Sequence, residues 1–154
     1  MNGTDRSIRV VTGPEAARQV RGLVSPRSRW PHHSCSTASM VGRASVDESG
    51  ALTLALGECV LANGATLVLS DLPEWRRETV EAVGVAWREN AVTLRRRGED
   101  IRIRTYFDVV ATRELCPCGM LGRDGARCAC TEPMLDRWEA RCRELVRALE
   151  AGGR

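Results

Sequence analysis

The segment Ala65–Trp75, ATLVLSDLPEW, constrains the fold more than any other part of the chain. Leu67, Val68 and Leu69 are apolar without alternation, the mark of a short strand covered on both faces. The run stops at Ser70-Asp71, and Pro73 then suits the first turn of a helix, where a missing N–H costs nothing. A buried strand that delivers polar groups to its carboxyl end predicts a layered α/β sheet. Asp71 is therefore either a ligand-binding acid or the cap of the helix that follows. A cap, worth about 1 kcal/mol, is the role this segment predicts.

The rest of the chain fits that architecture. Ile8–Val11 reads as a strand, followed by Thr12-Gly13-Pro14 and a helix with Ala16, Ala17, Val20, Leu23 and Val24 on one side. Ser25–Ser39 is polar and broken by proline, so it reads as loop. Leu52–Leu56 suits a strand, and Glu58–Ala62 a short helix closed by Asn63-Gly64. Trp75, Val80, Val83 and Trp87 mark the apolar side of the helix after Asp71. Val92–Leu94 and Ile101–Thr105 flank a charged tip at Arg95–Asp100, the pattern of a β-hairpin. Asp108–Ala111 is a further strand. A final helix over 133–150 carries Leu135, Trp138, Cys142, Leu145, Val146 and Leu149 on one stripe and ends at Gly152-Gly153. Strands alternating with helices predict α/β with a mainly parallel sheet and one local antiparallel hairpin.

With 154 residues the chain suits one domain. All 23 basic residues are arginine, so the lysine that a Walker A phosphate loop needs is absent. No stretch reaches the roughly 18 apolar residues of a membrane span. The first residues lack the apolar core of a signal peptide, and seven cysteines is an odd number, which together point to a reducing, cytoplasmic setting.

Cysteine is concentrated in one loop, 116–130. Cys116-Pro-Cys118 and Cys128-Ala-Cys130 present four thiols on two short knuckles, a donor set that wraps a tetrahedral Zn²⁺ and leaves no open position for chemistry. Free thiols or a redox disulfide are the alternatives. His32, His33 and Cys35 are too few for a second metal site, and no third residue orients them as a nucleophilic pair. Cys59 and Cys142 fall on apolar helix faces and read as core. Arg95, Arg96, Arg97, Arg102 and Arg104 cluster on the predicted hairpin, where guanidinium forks can meet nucleic-acid phosphates. Glu99 and Asp100 balance them in part, and a solvated tip is the simpler reading.

Four landmarks in order carry a resemblance. Arg29-Trp-Pro-His-His33, Gly57-Glu58 with Leu61-Ala-Asn-Gly64, Leu72-Pro-Glu-Trp75, and Cys116-Pro-Cys-Gly119 with Cys128-Ala-Cys130 are similar to segments of the AAA+ ATPase domain of the bacterial magnesium-chelatase-like, ComM/YifB-type family. The resemblance implies a partial AAA+, P-loop NTPase-like core with a hairpin before the sensor 1 strand and a Cys-rich loop after it. It divides the chain as a single large subdomain, 1–154, with an eroded strand and helix over 1–28, a core over 29–115, the Cys loop 116–130 and a helix over 131–150.

The departures from the family bear on function. Where the family's Walker B strand ends in Asp-Glu, this chain has Ser70-Asp71, and the sensor 1 asparagine falls on Glu114. Val10–Pro14 resembles the start of a Walker A loop, but only Gly13 of its glycines is present. The segments that carry the family's arginine finger and helical lid are not found before Arg154. Gly13, Ser70, Asp71 and Glu114 thus mark a degenerate nucleotide site, and tight binding of ATP and Mg²⁺ is not expected. The resemblance implies a non-hydrolysing pseudoenzyme, acting as scaffold or regulatory partner of another protein or within an AAA+-type oligomer. The alternatives are a zinc-stabilised nucleic-acid-binding module using the Arg hairpin, a residual ATP-binding subunit of a hetero-oligomeric ring, and a remnant without selected function.

Overall fold

A computed structural model describes residues 6–151. In chain order its elements are β1 (Ile8–Thr12), α1 (Ala16–Leu23), α2 (Thr37–Val41), β2 (Gly42–Val46), β3 (Leu52–Leu56) and α3 (Glu58–Leu61). There follow β4 (Thr66–Leu69), a 3-10 turn (Leu72–Glu74), α4 (Arg77–Glu89), β5 (Ala91–Arg96), β6 (Glu99–Arg104), β7 (Asp108–Arg113) and α5 (Glu132–Ala151). β1, β7 and β4 form a parallel sheet in the order β1-β7-β4, with Ile8 opposite Val109 and Leu67 also opposite Val109. Beyond β4, the backbone at Arg29 makes a single parallel bridge to Leu67. The arrangement is a partial P-loop NTPase-like core, as the sequence predicts.

The unbroken apolar run of β4 is explained by its two covers. Leu67 and Leu69, with Val109 and Ala111 of β7, belong to one buried cluster that includes Val80 and Val83 of α4 and Leu145 and Leu149 of α5. Val68 and Val110 belong to a second cluster with Val20 of α1. Successive strand residues point to opposite faces, so a strand sandwiched between helices needs apolar residues at every position. Each such side chain contributes about 1.5–3 kcal/mol on burial. α4 and α5 pack closely at Gly84, where an added Cβ would run into the Leu149 carbonyl oxygen. Cys59 and Cys142 are buried, as their helix faces predict, and burial pushes the Cys59 thiol up to about 12.

The structure departs from the sequence reading in four places. The predicted loop over Ser25–Ser39 is cut short by α2, whose N-cap Ser36 accepts from the Ser39 N–H at 3.1 Å. β2 was not predicted; it pairs antiparallel with β3 across an Asp47 turn, in which one carboxylate oxygen accepts from the Ser49 and Ala51 N–H groups. The helix expected directly after Asp71 is instead a 3-10 turn, then a break at Trp75 and Arg76, with α4 starting at Arg77. Finally, the β5–β6 strands run on to Arg96 and Glu99, so the charged tip narrows to Arg97-Gly98. Both of those residues have positive φ, 53° and 80°, which matches the tight two-residue turn favoured in hairpins. The Gly152-Gly153 helix stop lies outside the described residues. Among the described residues no helix is long and apolar enough to cross a membrane.

Candidate functional site

Parallel strands bring their carboxyl ends to one edge of a sheet, and here that edge carries Gly13, Ser70, Asp71 and Glu114, each directly following or near the end of a strand. Gly13 has φ 102°, and its N–H donates to the Arg113 carbonyl at 2.9 Å, prolonging the β1–β7 pairing. Only Gly13–Glu15 separate β1 from α1. The Ser70 carbonyl accepts the indole N–H of the buried Trp75 at 2.8 Å.

Asp71 corrects the sequence reading. It occupies the N-cap position of the 3-10 turn, yet its side chain makes no capping hydrogen bond. Its φ and ψ are both 54°, the left-handed region, where a cap normally needs extended backbone. The Asp71 N–H donates to the Thr112 hydroxyl at 3.1 Å, while the carboxylate faces solvent.

Glu114 turns away from that edge toward the cysteine loop. Its carbonyl accepts the Trp138 indole N–H at 3.0 Å, and its Oε1 accepts from Arg123 Nη2 at 2.8 Å. Its Oε2 is buried without a hydrogen-bond partner among the described residues. Among the described residues, the side chains of Gly13's three companions make no hydrogen bond to one another. Arg123, Trp138 and Thr112 are the bonding partners of these residues, a role that the sequence reading did not give them. Only Arg123 gave a signal, as a cation inside the Cys loop.

The cysteines behave differently. The sulfur of Cys116 lies 3.4 Å from that of Cys118 and 3.7 Å from that of Cys128, and Cys118 and Cys128 are also 3.7 Å apart. With Cys130, all four Sγ atoms lie within 4.8 Å of one another. A tetrahedral ion with sulfur ligands at about 2.3 Å requires sulfur–sulfur edges of about 3.8 Å, so the donor set fits a metal ion. Local backbone geometry supports the sulfurs. Gly119, at φ 73°, lets its N–H reach the Cys116 carbonyl, and the Leu121 N–H donates to Cys116 Sγ at 3.3 Å. The Met120 N–H, with help from the neighbouring sulfurs, holds the Cys118 thiol down to about 6. A backbone N–H from Cys118 pulls the Cys130 thiol down, but burial and bonds to the Cys118 and Cys128 sulfurs outweigh it and push the thiol up to about 12. The four are free thiols, and no disulfide forms among them.

The remaining candidates do not assemble. The His32 and His33 rings lie 4.0 Å apart and His32 Nδ1 pairs with the Ser34 hydroxyl, but no metal-sized group with Cys35 forms among the described residues. The five hairpin arginines divide. Arg95 forks onto Asp100 at 2.8 and 3.2 Å, holding that carboxyl below its ordinary range, and Arg102 reaches the Glu89 carbonyl at 2.8 Å. Arg96, Arg97 and Arg104 are exposed. Of the two aromatics that follow, Phe107 is buried and Tyr106 lies 5.0 Å from the Arg6 guanidinium.

Two of the sequence landmarks meet in space. Arg29, from the RWPHH segment, places a two-pronged ion pair on Glu58 at the start of α3, at 2.7 and 2.9 Å. This fork ties the segment beside β4 to the helix before it. Comparison with known proteins agrees with this linked set of landmarks. The profile of the family described as magnesium chelatase, subunit ChlI, matches residues 6–147. The chain is similar to uncharacterized protein YifB of Salmonella typhimurium, at 30% identity over 121 residues, covering 72% of this chain and 22% of that protein. Uncharacterized protein YifB of Escherichia coli is 29% identical over the same coverage of each. Competence protein ComM of Haemophilus influenzae is 30% identical over 91 residues, covering 59% of this chain and 16% of that protein. The chain thus spans about a fifth of the length of the YifB relatives it matches. With its sheet, its linked landmarks and its profile in agreement, the chain belongs to the magnesium chelatase family, subunit ChlI, with YifB- and ComM-like proteins among its relatives.

Proposed function

We propose that this chain is a non-hydrolysing member of its family that acts as a scaffold or regulatory partner of another protein, with a structural Zn²⁺ holding its cysteine loop. The observation that carries the reading is the fate of Glu114. At the position where the resemblance expects a nucleotide-sensing asparagine, a carboxylate is committed to Arg123 of the neighbouring loop. Three further features support it. The chain has no lysine, the β1–α1 connection is three residues long, and the strand end offers Ser70 and a solvent-facing Asp71 in place of an Asp-Glu pair. Phosphoryl transfer depends almost entirely on positioning and on neutralising phosphate charge, and each of these features removes part of that machinery. Zn²⁺ on Cys116, Cys118, Cys128 and Cys130 supplies structural order to the loop, since a closed tetrathiolate leaves no position for substrate.

Titration calorimetry of the purified chain with ATP and Mg²⁺ tests the reading. No binding is expected at millimolar nucleotide. A micromolar dissociation constant would overturn it, because arginine and backbone groups would then be replacing the lysine. A second reading, contact with nucleic acid, is favoured by the exposed Arg96 and Arg97 at the hairpin turn and by Arg104. It differs from the first in requiring steeply salt-dependent binding.

A further inference from the structure

We propose that the Glu114–Arg123 ion pair positions the cysteine loop for its metal. Arg123 lies between the two Cys-x-Cys knuckles in sequence and bonds to two points in space. Its Nη2 meets Glu114 Oε1 at 2.8 Å, and its Nε donates to the Gly119 carbonyl at 2.6 Å. Gly119 directly follows Cys118, so the second bond fixes the backbone that leads to Leu121, whose N–H serves Cys116 Sγ. The other end of the pair is firm, because Glu114 follows β7 directly and its carbonyl is held by the Trp138 indole of α5. Arg123 is the cation paired with this carboxylate, whose second oxygen, Oε2, is buried without a hydrogen-bond partner among the described residues.

The loop needs such a device. Cys116 is fully buried, but Met120 and Leu121, the loop's large apolar side chains, are 42% and 40% exposed, so past its first residue the loop has little apolar core to hold it. What packing exists is close and local: a Cβ on Gly122 would lie 2.8 Å from Leu115 Cδ1. Outer partners that orient metal ligands typically change metal affinity 10- to 100-fold when removed. Arg123 and Glu114 are positioning residues one step further out, since they hold the backbone that leads to the sulfurs and touch neither a sulfur nor the metal.

The inference rests on the metal reading above, and one experiment separates the two. Zn²⁺ affinity is measured by competition with a chromophoric chelator, and Co²⁺-loaded protein reports the ligand set by its visible spectrum. The parent chain is expected to bind one Zn²⁺ and to give a tetrahedral thiolate spectrum with Co²⁺. Arg123→Ala and Glu114→Gln are each expected to weaken Zn²⁺ binding about 10-fold, the low end for outer partners, because the pair is partly exposed and bonds no sulfur itself. The double variant should be no weaker than the weaker single one, because the two act as a unit. Arg123→Lys, which keeps charge but not the fork, should recover only part of the affinity. The Co²⁺ spectrum of every variant should keep its thiolate bands, which separates loss of positioning from loss of a ligand. Arg95→Ala, which removes an exposed ion pair elsewhere, should leave affinity unchanged. If Arg123→Ala fails to fold, Glu114→Gln, nearly equal in shape, decides alone. Variants that bind Zn²⁺ within twofold of the parent overturn the clamp and leave the metal site standing. A parent that takes up neither Zn²⁺ nor Co²⁺ overturns both.

Discussion

Two candidate sites adjoin in this molecule and were built by different means. At the carboxyl edge of the sheet, three parallel strands deliver Gly13, Ser70, Asp71 and Glu114 to a common border, but the side chains go their own ways. In the cysteine loop no regular element is involved, yet four sulfurs converge within 4.8 Å. A sheet aligns backbones, and each polar side chain at its end then settles on whatever donor or solvent is nearest. In the cysteine loop the backbone is held instead by local bonds, from the Gly119 N–H to the Cys116 carbonyl and from Arg123 to the Gly119 carbonyl, and there the sulfurs lie together.

This contrast can be tested at three strengths. The largest effect is expected from Trp75→Ala, which removes a fully buried indole and its bond to the Ser70 carbonyl. Urea unfolding should show a loss of about 3–5 kcal/mol. Zn²⁺ affinity of the folded fraction should hardly change if the two sites are independent, and a parallel fall in affinity would break the contrast.

The next effect is kinetic. In the reduced, metal-free chain, Cys118 is thiolate above about pH 6, whereas Cys130 is held protonated until about 12. The thiolate at pH 7 is therefore concentrated on Cys118, and its lower intrinsic nucleophilicity offsets only part of that gain, so alkylation should favour Cys118 by about tenfold or more. The sign follows from the depressed pKa: labelling of Cys118 should be near its maximum at pH 7 and fall as pH drops through about 6. Peptide mapping by mass spectrometry checks this, and equal labelling of both residues would mean that the proton is shared among the sulfurs rather than kept on Cys130.

The smallest effect is expected from Asp71→Asn. Asparagine tolerates the left-handed backbone, and the carboxylate it replaces makes no capping bond, so stability should stay within about 0.5 kcal/mol. A loss of about 1 kcal/mol or more would mean that the charge of Asp71 is itself stabilising, since asparagine caps a helix as well as aspartate does.

The sequence was most legible where a residue pattern and its physical cause coincide. Leu67–Leu69 announces a strand covered on both faces because alternation vanishes only there. It was least legible in the first hairpin. Leu52, Leu54 and Leu56 look like core residues but are 52%, 42% and 50% exposed, and their partner strand β2 has too few apolar residues to be seen. The arginine hairpin falls between these cases. Its strands were readable from their apolar residues, but Arg95 and Arg102 turned out to serve intramolecular partners.

By itself the sequence determined the α/β class, the absence of a lysine-bearing phosphate loop and the four-thiol donor set, because these follow from residue identity and short-range spacing. Only the tertiary structure decided that Asp71 caps nothing and that Glu114 answers to Arg123. Those outcomes depend on a left-handed backbone at one strand end and on a loop folding back across nine residues, and neither leaves a periodic trace in the chain.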